Sequence, residues 1–89
     1  MDKPYDIEVT VKSVKGACPF GNKVGNKIFF DGRRVNGEVC YSALLTILPR
    51  VHAMRYGIEY PWLEDKDVAH VACPDPVNAV VYEVRRVRG

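Results

Sequence analysis

Alternating apolar and polar residues at both ends of the chain are the strongest constraint on its fold. The apolar positions of this pattern are Tyr5, Ile7, Val9 and Val11 near the start, and Val80, Tyr82 and Val84 near the end. A period of two with β-branched residues is typical of a strand with one buried face. Because both segments share this pattern, we predict that the two end strands are antiparallel neighbours in one sheet.

Each end strand also contains a slip in this pattern. After Val11 the next inward apolar residue is Val14, and after Val84 it is Val87, so the spacing is three residues in both cases. One extra residue in the ladder, a β-bulge, would return the apolar side chain to the inner face. The sequence therefore predicts a bulge in each end strand.

Turn residues divide the region that follows the first strand. Lys27–Phe30 is predicted to be a short strand, and Asp31-Gly32 directly after it is a strong signal for a type I′ hairpin turn. Arg33–Val35 would be the return strand, and Asn36-Gly37 a second turn.

The period then changes to three and four residues, which indicates a helix over about residues 41–56. Its predicted buried stripe consists of Tyr41, Leu44, Leu45, Leu48, Val51 and Met54. Pro49 lies within this segment, so we expect a kink, or two short helices of which Pro49 opens the second. Gly57 suits the position just after the helix end.

These elements predict one small α+β domain that spans residues 1–89. With Val68–Ala72 as a further short strand, the sheet would have four or five strands, twisted and mainly antiparallel. One kinked helix would cover one face. A hydrophobic content of 47% and a charged content of 27% are ordinary for a folded soluble domain.

The charge balance argues against nucleic acid as the partner. The chain has 13 basic and 11 acidic residues, a net charge of +2. The densest basic group, Arg85, Arg86 and Arg88, lies at the end of the chain, where we expect it to be solvated. On the first strand, Asp6 and Glu8 are expected to face Arg85 or Arg86. No apolar run approaches the ~20 residues that a membrane helix needs, and no signal segment is recognisable, so we expect a cytoplasmic protein.

Three cysteines at junctions between elements raise the hypothesis of a thiol or metal site. Cys18 and Cys73 each precede a proline, which favours extended backbone, and Cys40 lies where the helix begins. Together with His70 or His52 they would provide the ligands of a zinc-type site, or bind iron.

Separately buried thiols are the alternative interpretation. Free cysteine behaves as a small hydrophobic residue, and the chain lacks the C-x₂-C pair of most structural zinc sites. His70 and Cys73 are three residues apart, so in an unbroken strand they would point to opposite faces.

A second group of candidates forms a possible ligand or partner surface. Its members are Lys23, Trp62, Asp65, Asp67 and Asp75. Trp62 is interpreted either as a ligand platform or, preferably, as a lid on the core. The carboxylates lack the spacing of a calcium loop, and a solvated acidic loop is favoured.

The glycines at 16, 21 and 25 do not form a phosphate-binding loop. Neither Gly21 nor Gly25 is followed by Lys-Ser or Lys-Thr, and a strand rather than a helix follows. We interpret Gly21–Asn26 as turn geometry.

The motif set as a whole resembles a family of small prokaryotic proteins of about this length, to which no function is assigned. The matching segments are Val14-Lys15-Gly16, Cys18, Gly21, Lys23-Val24-Gly25, Cys40, Leu48-Pro49, Pro61-Trp62, Asp65-Lys66-Asp67 and Cys73 through Asn78. The family loop usually reads G-H-K-x-G-D, whereas this chain has Asn22 and Asn26 at the histidine and aspartate positions. The resemblance therefore implies relatives but no reaction.

From these observations we expect a non-catalytic binding or accessory domain, whose partner is a protein or a small molecule. The alternative is a redox or metal-binding protein that uses Cys18, Cys40 and Cys73. A homo-oligomer that associates through exposed sheet edges or Trp62 is a further possibility.

Overall fold

A computed structural model of the chain describes residues 5–16, 21, 23–74 and 79–87. The elements in order are β1 (Asp6–Val14), β2 (Lys27–Phe30), β3 (Val35–Asn36), α1 (Tyr41–Arg55), β4 (Val68–Ala72) and β5 (Val80–Val87). The strands form one sheet in the order β3-β2-β1-β5-β4, and every pairing is antiparallel. The predicted α+β class, with adjacent end strands and one helix, is confirmed.

The predicted bulge in β1 is confirmed. Val11 pairs with Tyr82 and Ser13 pairs with Val81, so Lys12 is the extra residue between them. The bulge lets Val14 pair with Val80 at the far end of the ladder. Twist and bend increase at such a point, which helps the sheet to curve around a single helix.

The predicted bulge in β5 is wrong. The burial of β5 alternates without interruption, so Arg86 takes the inward position and Val87 points outward with 37% of its surface exposed. Arg86 itself is only 3% exposed. Its inward position is stabilised because its guanidinium finds hydrogen-bond acceptors inside the fold, as described below.

The helix buries a different face from the predicted one. Ala43, Ile47, Val51 and Met54 are buried, whereas Tyr41 and Leu45 are 83% and 74% exposed. More than half of the residues of α1 are apolar. They form two overlapping stripes, the predicted one and the buried one, which share Val51 and Met54. The hydrophobic pattern could not decide which stripe faces the sheet.

α1 is continuous through Pro49, so the alternative of two separate helices is wrong. Pro49 is exposed, and water can satisfy the Leu45 carbonyl that it deprives of a donor. The predicted role of Gly57 is confirmed. With φ +91° it lets the Gly57 N–H donate to Met54 O at 3.2 Å and the Ile58 N–H to Ala53 O at 3.0 Å, which is a Schellman ending.

The β2–β3 hairpin forms where it is predicted, but with a longer turn. Residues 31–34 connect the strands, and β3 is only the pair Val35–Asn36. Gly32 has φ +94°, whereas Asp31 has no positive φ, so the turn is not type I′.

The core lies between α1 and the inner face of the sheet. Its largest fully buried side chains include Tyr82, Ile7, Ile28, Ile47 and Met54. α1 ends beside the start of β1, where the Tyr5 N–H donates to Arg55 O at 3.0 Å. The described part of the chain contains no helix with the length and apolar character needed to cross a bilayer.

Candidate anion-binding groove

A groove of about 160 Å³ lies between the β2–β3 hairpin and the C-terminal half of α1. Phe30, Val35, Leu48 and Val51 provide its apolar surface. Its polar lining comes from Gly32, Arg33, Arg34, His52, Arg55 and Tyr56. We call this cleft the arginine groove.

Positive charge dominates the arginine groove. Arg33, Arg34 and Arg55 contribute three guanidinium groups, and among the residues that the structure describes, no Asp or Glu lines it. Neither the Arg33 nor the Arg34 side chain forms an ion pair with a residue that the structure describes. Both are exposed, so their donors are accessible to a ligand.

Asp31 shapes the turn that carries these two arginines. Its Oδ1 accepts the backbone N–H groups of Arg33 and Arg34, each at 2.9 Å. The Arg33 N–H, then the Arg34 N–H, hold the pKa of the Asp31 carboxyl below its ordinary value. The carboxylate is therefore charged at neutral pH and fixes the turn, and its negative charge also acts on Arg34.

Arg55 forms the fixed wall of the groove. Its Nη1 donates to Tyr5 O at 3.0 Å and lies 3.8 Å from the Asp6 carboxylate. Its guanidinium packs against Gly32, where an added Cβ would collide with Nη2. It also lies 5.7 Å from the centre of the Tyr56 ring. These contacts hold the charge in place before any ligand arrives.

The negative end of the α1 dipole offsets little of the positive charge in the groove. The last carbonyls of α1 are bonded, since His52 O accepts from Tyr56 N and Arg55 O accepts from Tyr5 N. Satisfied carbonyls weaken the negative pole of a helix. His52 stacks on Tyr56 with the ring centres 6.3 Å apart, and both rings stand at the mouth of the groove.

The groove thus offers guanidinium, imidazole and phenol groups above an apolar floor. Guanidinium groups bind carboxylate and phosphate oxygens through paired hydrogen bonds. The arrangement can bind and orient a small anion that has an apolar part.

Arg86, which lies outside the arginine groove, has a structural role. The Arg86 guanidinium donates to Asp67 Oδ1 at 3.1 Å, to Met54 O at 2.9 Å and to Ile58 O at 3.3 Å. It also bonds to Lys66 O and lies 5.1 Å from the centre of the Tyr5 ring. With its donors engaged and its side chain 1% exposed, Arg86 has no surface to offer a ligand.

The thiol hypothesis is only partly addressed by the described residues. Cys18 lies outside them. Cys40 is the N-cap of α1 with no side-chain capping bond, and Cys73 follows β4, where its Sγ accepts the Val80 N–H at 3.3 Å. Both cysteines are partly buried and packed against the core.

Cys40 and Cys73 lie at the same end of the sheet. The chain just before Cys40 touches the start of β2 at Lys27, and Cys73 N donates to Val80 O at the start of β5. His70, the proposed fourth ligand, is exposed on the outer face of β4. In the described ranges, no three His, Cys, Asp or Glu side chains form a group suited to a metal ion.

The acidic candidates have separate structural roles. Asp65 Oδ1 accepts the Asp67 N–H at 2.9 Å, which closes a local turn. Asp67 pairs with the buried Arg86. Lys23 is exposed, and Asp75 lies outside the described residues.

Trp62 is not a lid on the core. It is 67% exposed and packs on Tyr60 with the ring centres 4.9 Å apart. Arg50 lies 4.6 Å from the centre of the Tyr60 ring. The indole is therefore part of a surface stack, and its role as a partner surface stays a prediction.

The outer face of the sheet carries charges that are already paired. Lys27 bonds to Glu8 at 2.9 Å, and Glu83 lies 3.4 Å from Lys12 and 3.2 Å from Arg85. Partial burial alone would raise the pKa of Glu83, but hydrogen bonds and charges of Arg85 and Lys12 lower it overall. This face differs from the arginine groove, where neither Arg33 nor Arg34 forms an ion pair within 4.0 Å in the described structure, although the Asp31 charge acts on Arg34.

Sequence reasoning did not find the arginine groove, because its lining comes from two segments that are distant in the chain. The available signal was D-G-R-R, an aspartate that can bond the N–H groups two and three residues later, followed by two arginines. Glu8 does face Arg85, as the sequence suggests.

No protein-family model matches this chain, and neither a curated protein nor a solved structure matches it significantly. The function is therefore argued from the groove itself.

Proposed function

We propose that this chain is a small, non-catalytic binding domain whose ligand is a small anion with an apolar part, bound in the arginine groove. The observation that carries the proposal is the combination of three arginines and apolar side chains in one groove, with no carboxylate among its described lining residues. We also propose, from its motifs alone, that the chain is related to the small prokaryotic proteins described above.

The size of the groove limits the ligand. Its volume of about 160 Å³ is below the ~300–1,000 Å³ typical of pockets for drug-sized molecules. One aromatic ring or short aliphatic group with one carboxylate or phosphate fits this scale. Ligands of this size bind weakly, so we expect Kd on the order of 0.1–1 mM.

Isothermal titration with three probes tests the proposal. Phenyl phosphate and benzoate combine an anion with a ring, and benzyl alcohol lacks the charge. We expect binding of one or both anions, no measurable binding of the alcohol, and an affinity about tenfold lower in Arg34→Ala, since a charged hydrogen bond is worth roughly 1.5–3 kcal/mol. Arg85→Ala removes an exposed arginine from the outer face of the sheet and is the matched control.

A pair of glycine variants tests the position of Arg55. Gly32 and Gly25 both have φ +94°, so alanine is equally strained at either position. Only at Gly32 does a new Cβ collide with the Arg55 guanidinium; at Gly25 nothing described lies within 4 Å. Gly32→Ala should therefore displace the Arg55 guanidinium and weaken anion binding, and Gly25→Ala should retain the affinity of the unmodified protein. Equal affinities in the two variants, or no anion binding by the unmodified protein, would refute the proposal.

A thiol- or metal-dependent function is the second proposal. It is supported by the location of Cys40 and Cys73 at one end of the sheet. Metal analysis and thiol titration of anaerobically purified protein test it. Stoichiometric zinc or iron, with Cys73→Ser lowering the melting temperature only when metal is present, would support it; metal-free protein would count against it. The odd number of cysteines, three, is what supports the proposal of a cytoplasmic location.

A further inference from the structure

A second candidate surface is the outer edge of β4, whose outward backbone groups have no partner strand in the described structure. It lies at the edge of the sheet opposite the arginine groove. β4 is an end strand of the five-stranded order, and β3 beside the groove is the other. The N–H groups of Cys73 and Arg86 bond across the β4–β5 ladder to Val80 O and Asp67 O. In an antiparallel ladder these bonded positions alternate, so the backbone groups of Val68, His70 and Ala72 point outward.

Within the part of the chain that the structure describes, this edge lacks the usual protection against strand pairing. Charged side chains, prolines, bulges and short length are the features that guard exposed edges. β4 is five residues long, reads V-A-H-V-A, and pairs with β5 without a register shift. The β3 edge, in contrast, has two residues and follows two arginines.

The β4 sequence is complementary to itself in the antiparallel direction. If two copies pair with His70 opposite His70, Val68 faces Ala72 and Ala69 faces Val71 of the second copy. Every valine then meets an alanine, so large and small side chains alternate across the seam. Ala69 and Val71 are on the core side and would extend the apolar layer of each sheet into the other.

The hydrogen bonds of this register are also consistent with the fold. Each His70 N–H donates to the His70 carbonyl of the other copy. Each Ala72 N–H donates to the Val68 carbonyl of the second copy. The Val68 N–H is already bonded to Asp65 O at 3.1 Å. That bond ends the pairing at Val68 and leaves no donor there unsatisfied.

We propose that two copies of this chain associate through β4 about a two-fold axis at His70, which gives a continuous ten-stranded sheet from two five-stranded ones. A seam of one short strand buries less than the ~1,200–2,000 Å² of standard interfaces, so the dimer is weak and concentration-dependent.

Sedimentation velocity over about 10 μM to 1 mM protein tests the association, since weak dimers have Kd in this range. We expect a dimer whose fraction rises with concentration. His70→Lys places like charges directly opposite each other and should weaken the dimer at least tenfold. His52→Lys makes the same substitution on the exposed surface of α1 and should leave the dimer unchanged. A monomer at all concentrations, or equal dimerisation of the two variants, would overturn the proposal.

Cross-linking gives a second test that does not depend on the behaviour of the lysine variant. Opposed residues of a hydrogen-bonded pair have Cα atoms about 5.5 Å apart, within the range of a disulfide. Under mild oxidation, His70→Cys should form a dimer whose mapped linkage joins position 70 to position 70. Ser13→Cys, exposed on the interior strand β1, should not. If His70→Cys does not form this linkage, the proposal is also overturned. The β4 edge would then have to pair with a partner other than a second copy.

Discussion

Arg86 is the side chain that joins β5, the end of α1 and the loop that follows it. Its guanidinium bonds to Met54 O in the helix, Ile58 O after it, and Asp67 before β4. A buried charge of this kind is stable only when its partners are complete. Arg86 therefore fixes the position of the helix end, and with it the wall of the arginine groove that Arg55 provides.

The neighbouring arginines of β5 allow a matched test of this role. Arg86→Met leaves Asp67 and several carbonyls without their donor and should lower the free energy of unfolding by about 3–5 kcal/mol. Arg85→Met removes an ion pair of a side chain that is 46% exposed, which is worth about 0–1 kcal/mol. Urea denaturation measures both. Similar losses of unfolding free energy in the two variants would show that Arg86 stabilises the fold no more than the exposed Arg85 does.

The sequence could not reveal this role of Arg86. Strand patterns assign arginine to the solvent side, and the next valine suggested a bulge instead. What places Arg86 inside is a set of carbonyl acceptors from residues 54–66, which no local pattern encodes.

At the scale of elements, the period-two pattern predicts β1 and most of β5, apart from the inward position of Arg86, and the three- and four-residue period predicts α1. The strands have one buried face each, so alternation fixes which residues point inward. α1 has two overlapping apolar stripes, so its period was predicted but its rotation was not. The exposed stripe, Tyr41, Leu45 and Leu48, continues into the arginine groove at Leu48.

Two alanine variants of similar side chains test the rotation of α1. Ile47 is fully buried, so Ile47→Ala should cost about 2–5 kcal/mol in unfolding free energy. Leu45 is 74% exposed, so Leu45→Ala should change it by no more than about 0.5 kcal/mol. Thermal or urea unfolding gives both values. A larger loss for Leu45→Ala would support the face predicted from the sequence instead.

At the scale of the whole molecule, β3, β2 and the end of α1 enclose the arginine groove, while β4 ends the sheet on the other side. The two proposals concern separate features: we propose that side chains of the groove bind an anion, and that backbone groups of β4 pair two copies of the chain. A dimer through β4 would leave both grooves open, so ligand binding and association should not compete.

The candidate site was less predictable than the fold, for a physical reason. Strand and helix periods are local properties of the chain, whereas a groove requires that Arg33 and Arg34 meet Arg55 across the fold. The turn at Asp31 could be predicted from its sequence. Its position beside the last turn of α1 depends on the β2–β3 hairpin and on the rotation of the helix.

Two-dimensional amide NMR spectra of the labelled protein, titrated with phenyl phosphate, test the central claim most directly. The account predicts saturable shifts confined to residues 30–35 and 48–56, which surround the arginine groove, with β4 and the Trp62 loop unchanged. Shifts centred on Cys73 or Trp62, or no saturable shift at all, would contradict it.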